Sequence, residues 1–241
     1  MEITKEQIIG ELVAKDYRTA SVFKTFGIDF CCNGNRTIDE ACNTKHLKAD
    51  VVINDLEKAV EKQEVLGTEY KSWPLDLLAD YIEKKHHRYV QSKTIEIIPF
   101  LDKVCKVHGV RHPELLEIRD QFNASAGELA MHMKKEELIL FPYVRKMVDA
   151  KSRGAKQENP HFGTVQNPIA MMMSEHTIEG DRFKRISELS NNYTPPEDAC
   201  NTYKVTYALL KEFEADLHLH IHLENNILFP KAIELERDLV E

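Results

Sequence analysis

Apolar residues recur every three or four positions along most of this chain, which is the spacing of one face of an α-helix. No run rich in Val, Thr and Tyr alternates with polar residues between turn signals, as a typical strand would. Glycine and proline are concentrated in short stretches that punctuate the periodic segments. The pattern predicts an all-α protein.

The periodic segments form two groups, which predict two domains. Several short helical patterns lie between Thr4 and about Gly67, and we assign residues 1–68 to a small helical domain. The rest of the chain, residues 72–241, holds four long segments joined by loops rich in Gly, Pro and Asn. Four long helices with short connections predict an antiparallel four-helix bundle. The long segments run approximately from Leu75 to Val107, Pro113 to Ala150, Asn167 to Ser190 and Glu197 to Glu241.

One stretch departs from the helical pattern, because apolar and polar residues alternate from Leu217 to Leu223. It belongs to an internal repeat: HMKKEELILFP, which begins at His132, matches HIHLENNILFP, which begins at His220, at six of eleven positions. The first copy shows no alternation. We therefore predict helix in both copies, with the proline at the end of each copy kinking or ending the helix.

Helical phase predicts that some polar side chains of the repeat point into the core, because residues three and four apart share a face. His220 and Glu224 lie on an apolar stripe of the fourth long segment, and His132 and Glu136 lie one helical turn apart in the second. The same rule assigns other polar residues of the fourth segment to a face that we predict to meet solvent. That face holds Lys211, Glu214, His218, His222, Asn225 and Asn226.

The first and third long segments each add one inward histidine. His176 and His86 both follow apolar residues on their stripes, whereas His87 falls in line with polar residues and is predicted to face solvent. The separations along the chain agree, with 46 residues from His86 to His132 and 44 from His176 to His220. Each half of the bundle thus contributes one histidine and one His-x-x-x-Glu pair.

These six inward side chains predict a metal centre. A buried carboxylate without a partner is costly, so a cation is expected beside Glu136 and Glu224. Imidazole and carboxylate ligands suit iron, manganese or zinc, and no cysteine lies on these stripes. Four imidazoles and two carboxylates can hold two metal ions, with each Glu able to bridge them. The candidate ligands are His86, His132, Glu136, His176, His220 and Glu224.

Composition and charge narrow the classes of function. The chain has 241 residues and a formal net charge of −8, which argues against a nucleic-acid partner, because phosphate binding depends on clustered Lys and Arg. The sequence contains no run of about 18 apolar residues and no signal-peptide pattern, so we expect no membrane partner. Five cysteines, an odd number, suit a reducing compartment, and we expect a cytoplasmic protein.

The first domain carries the segment FGIDFCCNGNRTIDEAC, in which two cysteines are adjacent. Gly27 is predicted to end one helix, and Thr37 with Glu40 to begin the next as a capping box. This places Cys31 and Cys32 at an exposed junction, where a thiolate could react by redox exchange or contact a partner's metal. The alternative is that both thiols are buried and have only a structural role.

The segments DFCCNGNRTIDEAC, HMKKEELILFP, SEH and HLENNILFP together resemble the repair-of-iron-centres family. Its members are hemerythrin-like di-iron proteins linked to restoring iron-sulfur clusters after nitric oxide or peroxide stress. The resemblance covers the whole chain and implies a hemerythrin-like four-helix bundle, two non-haem iron ions, a cytoplasmic location and a homodimer. We expect an oxo or hydroxo oxygen to bridge the irons. The iron ligands that the resemblance implies are His86, His132, Glu136, His176, His220 and Glu224, with both Glu residues as bridges and with the adjacent His87 as the alternative to His86.

Two classes of function follow. The favoured hypothesis is a protein that repairs damaged iron-sulfur proteins by delivering iron, by reducing nitric oxide at open metal positions, or both, with Cys31 and Cys32 guiding docking or transfer. Whether the chain is an enzyme is left open. The alternative is a hemerythrin-like protein that binds or senses dioxygen or nitric oxide. Oxygen-carrying hemerythrins use five histidines, and the four on these stripes favour reactivity over reversible carriage.

Overall fold

The structure is a computed structural model that describes residues 3–61, 69–156 and 160–240. Helices form nearly all the regular structure in these ranges, where a single bridge between Ile8 and Thr37 is the one extended pairing. The prediction of an all-α fold is confirmed. Gly67 and Glu241, at which we expected the first domain and the last helix to end, lie outside the described residues. The division into residues 1–68 and 72–241 therefore stays a prediction.

Four short helices form the N-terminal part of the described chain. They are α1 Ile9–Lys15, α2 Arg18–Thr25, α3 Ile38–Thr44 and α4 Ala49–Glu61. The predicted capping box is confirmed, because the N–H groups of Thr37 and Glu40 each donate to the side chain of the other residue. Gly27 follows α2 with a φ of 63°, and the N–H of Ile28 donates to the carbonyl of Phe23. Gly27 therefore ends α2 as predicted, since a left-handed residue at this position favours glycine.

Four long helices form the bundle, and three of them contain a π turn, in which the backbone hydrogen bond reaches one residue further than in an α-helix. The first comprises α5 Leu75–Tyr81, a π turn at Ile82–His87 and α6 Arg88–His108. The second comprises α7 Glu114–Lys135, a π turn at Glu136–Leu140 and α8 Phe141–Ser152, and the third is α9 Gln166–Leu189. The fourth comprises α10 Asn201–Leu223, a π turn at Glu224–Leu228 and α11 Phe229–Val240.

Both copies of the internal repeat are helical, as predicted. The alternating stretch Leu217–Leu223 lies wholly within α10, so its strand-like pattern has no structural counterpart. Pro142 and Pro230 are the second residues of α8 and α11, directly after the π turns. A proline lacks the N–H that an α-helix interior requires, and the wide turn before it lets the helix continue.

The four bundle helices pack around an apolar core. Helix α6 contacts both α7 and α10, and α7 also contacts α9. In the middle of the bundle the Phe213 ring lies 5.2 Å from that of Phe122 and 5.5 Å from that of Phe183, measured between centroids. Such aromatic pairs stabilise a core beyond the area that they bury. Among the residues described, none of the helices combines the length and the apolar character needed to cross a bilayer.

The N-terminal helices lie against the fourth bundle helix. The rings of Phe30 and His222 lie 6.0 Å apart, and Lys24 forms an ion pair of 2.8 Å with Glu214. The prediction that this face of the fourth bundle helix meets solvent holds for Lys211, which is exposed, and was wrong for the other residues, because the N-terminal part covers them and supplies polar partners. Glu214, His222 and Asn225 are buried, and His218 and Asn226 are half-buried.

Candidate metal centre

The π turns lie where the candidate ligands lie. Glu136 and Glu224 are each the first residue of a π turn, and His87 is the last residue of another. An inserted π turn rotates all later side chains relative to the earlier helix, so it can aim a chosen residue into the core. Such turns are frequent at functional sites.

Six buried side chains in the bundle core form two groups of potential metal ligands. Within each group the ligand atoms all lie within 4.8 Å of one another. Glu136 and Glu224 belong to both groups. The first group is His87, Glu136, His220 and Glu224, and the second is His132, Glu136, His176 and Glu224.

The donor atoms are spaced as ligands of a common ion would be. His132 Nε2 lies 3.0 Å from His176 Nε2 and 3.4 Å from Glu136 Oε2. Glu224 places one oxygen 3.0 Å from His220 Nε2 and the other 3.1 Å from His176 Nε2. Two donors about 2.1 Å from one ion and at right angles to each other lie about 3 Å apart. These separations therefore suit metal binding.

Several of these atoms are buried without satisfied hydrogen bonds. His87 Nε2, both Glu136 oxygens and one Glu224 oxygen have no hydrogen-bond partner among the described residues. His87 Nε2 lies 3.3 Å from Glu136 Oε2, which is close enough for an ion pair, but the two groups lack the angles of a hydrogen bond. Buried polar atoms without partners are costly and rare in native proteins. A metal ion bound between these converging atoms would supply the partner that each of them lacks.

The electrostatics of the centre also call for a cation. Burial and the Glu224 charge raise the pKa of the Glu136 carboxyl, but the adjacent His132 and His87 imidazoles outweigh both effects, so this pKa lies below its usual range. Burial lowers the pKa of the His132 imidazole, but the carboxylates around it prevail and raise that pKa to about 10. The two buried carboxylates thus stay ionised only beside positive charge, which protons or metal ions can supply.

Outer hydrogen bonds orient three of the four imidazoles. Nδ1 of His132 lies 2.8 Å from a Glu175 oxygen, a contact that fixes the ring and leaves Nε2 facing the centre. His87 and His176 make matching contacts through the residues that follow the two shared carboxylates. His87 Nδ1 lies 3.0 Å from Glu137 Oε1, and His176 Nδ1 lies 2.8 Å from Asn225 Oδ1. Because Glu137 and Asn225 occupy the same position of the internal repeat, His87 and His176 have equivalent places in the two halves.

Five of the six predicted ligands come together, but His86 does not join either group. Its Nδ1 lies 3.1 Å from both oxygens of Asp216, and its ring stacks on that of His220 at 5.5 Å. The prediction that His87 faces solvent was wrong, because His87 is fully buried. The physical reason is the π turn Ile82–His87, which shifts the helical phase by one residue. The sequence held one signal for His87. The separation from His87 to His132 is one residue shorter than that from His86 to His132, so it is closer to the 44 residues between His176 and His220.

Replacing His87 with alanine is expected to lower the metal affinity of the chain by more than the roughly 10- to 100-fold that loss of an outer hydrogen-bond partner causes. His86→Ala is the matched control, because His86 is equally buried but contacts Asp216. Metal content after gel filtration and calorimetric titration of the metal-free chain measure both variants. If His86→Ala loses metal while His87→Ala keeps it, His86 is the ligand after all.

The two adjacent cysteines lie beside this centre. Cys31 is buried, with 4% of its surface exposed, so the expected exposed junction is wrong for this residue, and Cys32 is half-buried. Their sulfur atoms are 3.8 Å apart, and Asp29 Oδ1 accepts from both of their N–H groups at 3.0 Å. The contact with Cys32, together with burial, raises the pKa of the Cys31 thiol well above its usual value. A cleft of about 420 Å³ opens beside the pair, between the N-terminal part and α9.

Two contacts connect the cysteine pair to the metal centre. Cys32 Sγ lies 3.3 Å from the carbonyl oxygen of His176 and packs over Gly180, where an added Cβ would come within 3.1 Å of the sulfur. Asn225 Oδ1 accepts a hydrogen bond from His176 Nδ1, and Asn225 Nδ2 donates one to the Cys31 carbonyl at 3.1 Å. Sequence reasoning missed Asn225, although its alignment with Glu137 in the repeat was a signal for it. Cys32 thus contacts the candidate ligand His176 directly, and Cys31 is connected to His176 through Asn225.

Comparisons with known proteins cover both parts of the chain. Residues 5–60 match a family described as a domain of unknown function (DUF542), and residues 78–232 match the hemerythrin HHE cation-binding domain. Over 230 residues the chain is 33% identical to the iron-sulfur cluster repair protein ScdA of Staphylococcus haemolyticus, covering 95% of this chain and 99% of that protein. Over 232 residues it is 32% identical to the iron-sulfur cluster repair protein YtfE of Yersinia pestis, covering 96% and 99%. The YtfE protein of Yersinia pseudotuberculosis is similar to the same extent.

Proposed function

The chain belongs to the repair-of-iron-centres family of hemerythrin-like iron-sulfur cluster repair proteins, and from this premise we propose that it binds two iron ions and uses them to restore damaged iron-sulfur clusters. One observation carries the proposal. Two four-ligand groups share the buried carboxylates Glu136 and Glu224, which is an arrangement for a pair of ions rather than for one.

The residues of the two groups have distinct roles in this proposal. His87 and His220 would hold one iron and His132 and His176 the other, with Glu136 and Glu224 available to both. A bound di-iron centre supplies redox chemistry and open coordination positions for small molecules such as nitric oxide or dioxygen. Glu137, Glu175 and Asn225 hold the imidazole rings in the orientation that the metals need.

Iron delivery is the route of repair that the surroundings of the centre support best. Cys31 and Cys32 lie between the candidate ligand His176 and the cleft, so thiol donors are available beside an iron that leaves the centre. Together with Asp29 they form a third group of potential ligand atoms within 4.8 Å of one another. We propose that Cys31 and Cys32 guide iron to the damaged protein. The odd number of cysteines favours a reducing compartment, and we place this repair in the cytoplasm.

The test is a repair assay with isotopically labelled iron. A purified four-iron cluster enzyme is damaged with nitric oxide, the excess nitric oxide is removed, and the chain loaded with labelled iron is added. We expect the enzyme to regain activity together with label, and a chain with Cys31→Ala and Cys32→Ala to transfer label more slowly while still binding two irons. Regained activity without label would support removal of nitric oxide instead of iron delivery. Undiminished repair by the double cysteine variant would remove the role of the thiols.

Reversible binding of dioxygen or nitric oxide is the competing function. The two groups contain four imidazoles, fewer than the five that oxygen-carrying hemerythrins use. One helical turn after His176 the chain has Gly180, which Cys32 covers, so no fifth imidazole is supplied from there. Fewer imidazole ligands leave more coordination positions of the metal ions open for reaction. A stable spectrum of an oxygen adduct, formed when the reduced chain meets air and lost again under vacuum, would favour the carrier function.

A homodimer is the assembly that the family resemblance implies, and exposed apolar side chains support it. Met131 and Leu138 are exposed on the second bundle helix, and Ile178 is exposed on the neighbouring α9. We propose that these exposed apolar side chains lie between two copies of the chain. Sedimentation velocity measures the mass of the assembly directly, and a monomer would overturn the proposal.

A further inference from the structure

A thiol and an imidazole meet at the end of the bundle away from the metal centre. His108 is the last residue of α6, and Cys200 directly precedes α10. His108 Nε2 lies 3.2 Å from Cys200 Sγ. Cys200 lies twenty residues before His220 along the same helix, which corresponds to about 30 Å. The pair is therefore separate from the metal centre and from the cysteines of the N-terminal part.

The two members of the pair have opposite environments. Cys200 is exposed, whereas Cys31, Cys42 and Cys105 are buried and Cys32 is half-buried. The His108 side chain is buried, with 5% of its surface exposed, and its Nδ1 has no hydrogen-bond partner in the described part of the chain. The Cys200 sulfur is thus the polar partner of the His108 ring, through Nε2. A buried imidazole that meets an accessible thiol is an arrangement that activates the thiol as a nucleophile.

Neighbouring contacts hold the pair in place. Asp198, two residues before Cys200, lies 2.9 Å from His112 Nε2 and 3.2 Å from an Arg111 nitrogen. These two contacts join the segment before α10 to the turn after α6. They hold the Cys200 sulfur beside His108. The ring of Tyr203 packs edge-on against that of His108 at 5.3 Å and fixes its position from the other side.

We propose that Cys200 and His108 form a second reactive site, at which Cys200 exchanges with low-molecular-weight disulfides and becomes reversibly S-thiolated. His108 Nε2 takes the proton of the Cys200 thiol, and the resulting thiolate attacks one sulfur of the disulfide. The new bond joins Cys200 Sγ to that sulfur, the original disulfide bond breaks, and the released thiolate takes up the proton from His108. The disulfide is the oxidant, and one free thiol leaves for each chain modified.

The test measures the rate at which glutathione disulfide modifies the full-length, iron-loaded chain. Peptide mapping by mass spectrometry reads the fraction of Cys200 modified with time. We expect Cys200 to react at least about tenfold faster than the same cysteine in a synthetic peptide of residues 195–206, because a positioned imidazole accelerates proton transfer by that much or more. A folded chain in which Cys200 reacts no faster than the peptide overturns the proposal.

Two variants separate the imidazole contact from general effects of charge. His108→Gln is expected to slow the modification of Cys200 to the rate of the peptide. Lys106→Gln, on the same last turn of α6, removes a positive charge from an exposed side chain and is expected to leave the rate within twofold. Circular dichroism confirms that both variants are folded. An unchanged rate in folded His108→Gln, or an equal loss in Lys106→Gln, contradicts the assignment to His108.

Discussion

Glutamine in place of Glu224 is expected to lower the iron content of the purified chain from two ions to fewer than about one, because this carboxylate belongs to both ligand groups. Glutamine has nearly the same volume but offers a neutral, weaker donor. The buried site then loses the negative charge that compensates two cations. Iron per chain, measured by mass spectrometry after anaerobic loading and gel filtration, checks the expectation.

Thermal unfolding distinguishes a ligand from a merely structural acid. Each iron that binds the folded state only should stabilise the parent chain by about 2.7 kcal/mol at a free iron concentration 100 times its dissociation constant. In Glu224→Gln the rise in melting temperature on adding iron should be less than half of that in the parent chain. Glu214→Gln is the control, since Glu214 is a buried acid of the same helix that pairs with Lys24 instead. Two tightly bound irons in Glu224→Gln would refute the bridging role.

Replacing Gly34 with alanine is expected to destabilise the chain by about 2–3 kcal/mol, the cost typical of overpacking in a tightly packed region. A Cβ at Gly34 would lie 2.4 Å from the Phe30 carbonyl oxygen, which belongs to backbone and cannot move alone. That oxygen accepts a hydrogen bond from Asn226 Nδ2, and the Gly34 carbonyl accepts one from the Gly10 N–H at 2.7 Å. The substitution would therefore disturb the contact that holds the cysteine segment on the bundle.

Chemical denaturation with urea measures this loss, with Gly127→Ala as the matched control. Gly127 is exposed within α7, and nothing lies within 4 Å of an added Cβ. Alanine there should raise the free energy of unfolding by up to about 1 kcal/mol, because glycine is the poorer helix former. Equal effects of the two substitutions would show that close packing at Gly34 has no special energetic weight.

The helices and most of the ligand set could be predicted because both depend on short-range periodicity. Residues three and four apart share a helix face whatever the rest of the fold does, and the stripe through His220 and Glu224 was visible for that reason. The internal repeat then showed that the second helix carries an equivalent pair, His132 and Glu136. Tertiary packing was not needed to align them.

The same rule failed where the helix itself departs from α geometry. The π turn at Ile82–His87 shifts the phase by one residue, so His87 enters the ligand groups and His86 turns to Asp216. Only the folded bundle decides between the two adjacent histidines.

By itself, the sequence determined an all-α chain, two helical copies of a His-x-x-x-Glu repeat and a set of inward imidazoles and carboxylates. These features follow from the spacing of residues within single helices. Only the tertiary structure decided which polar faces are covered. His222 and Asn225 lie on a polar face that the N-terminal part buries, and Asn225 connects His176 with the Cys31 carbonyl. A contact between distant segments depends on how helices dock, and the polar pattern of one helix is the same whether water or another domain satisfies it.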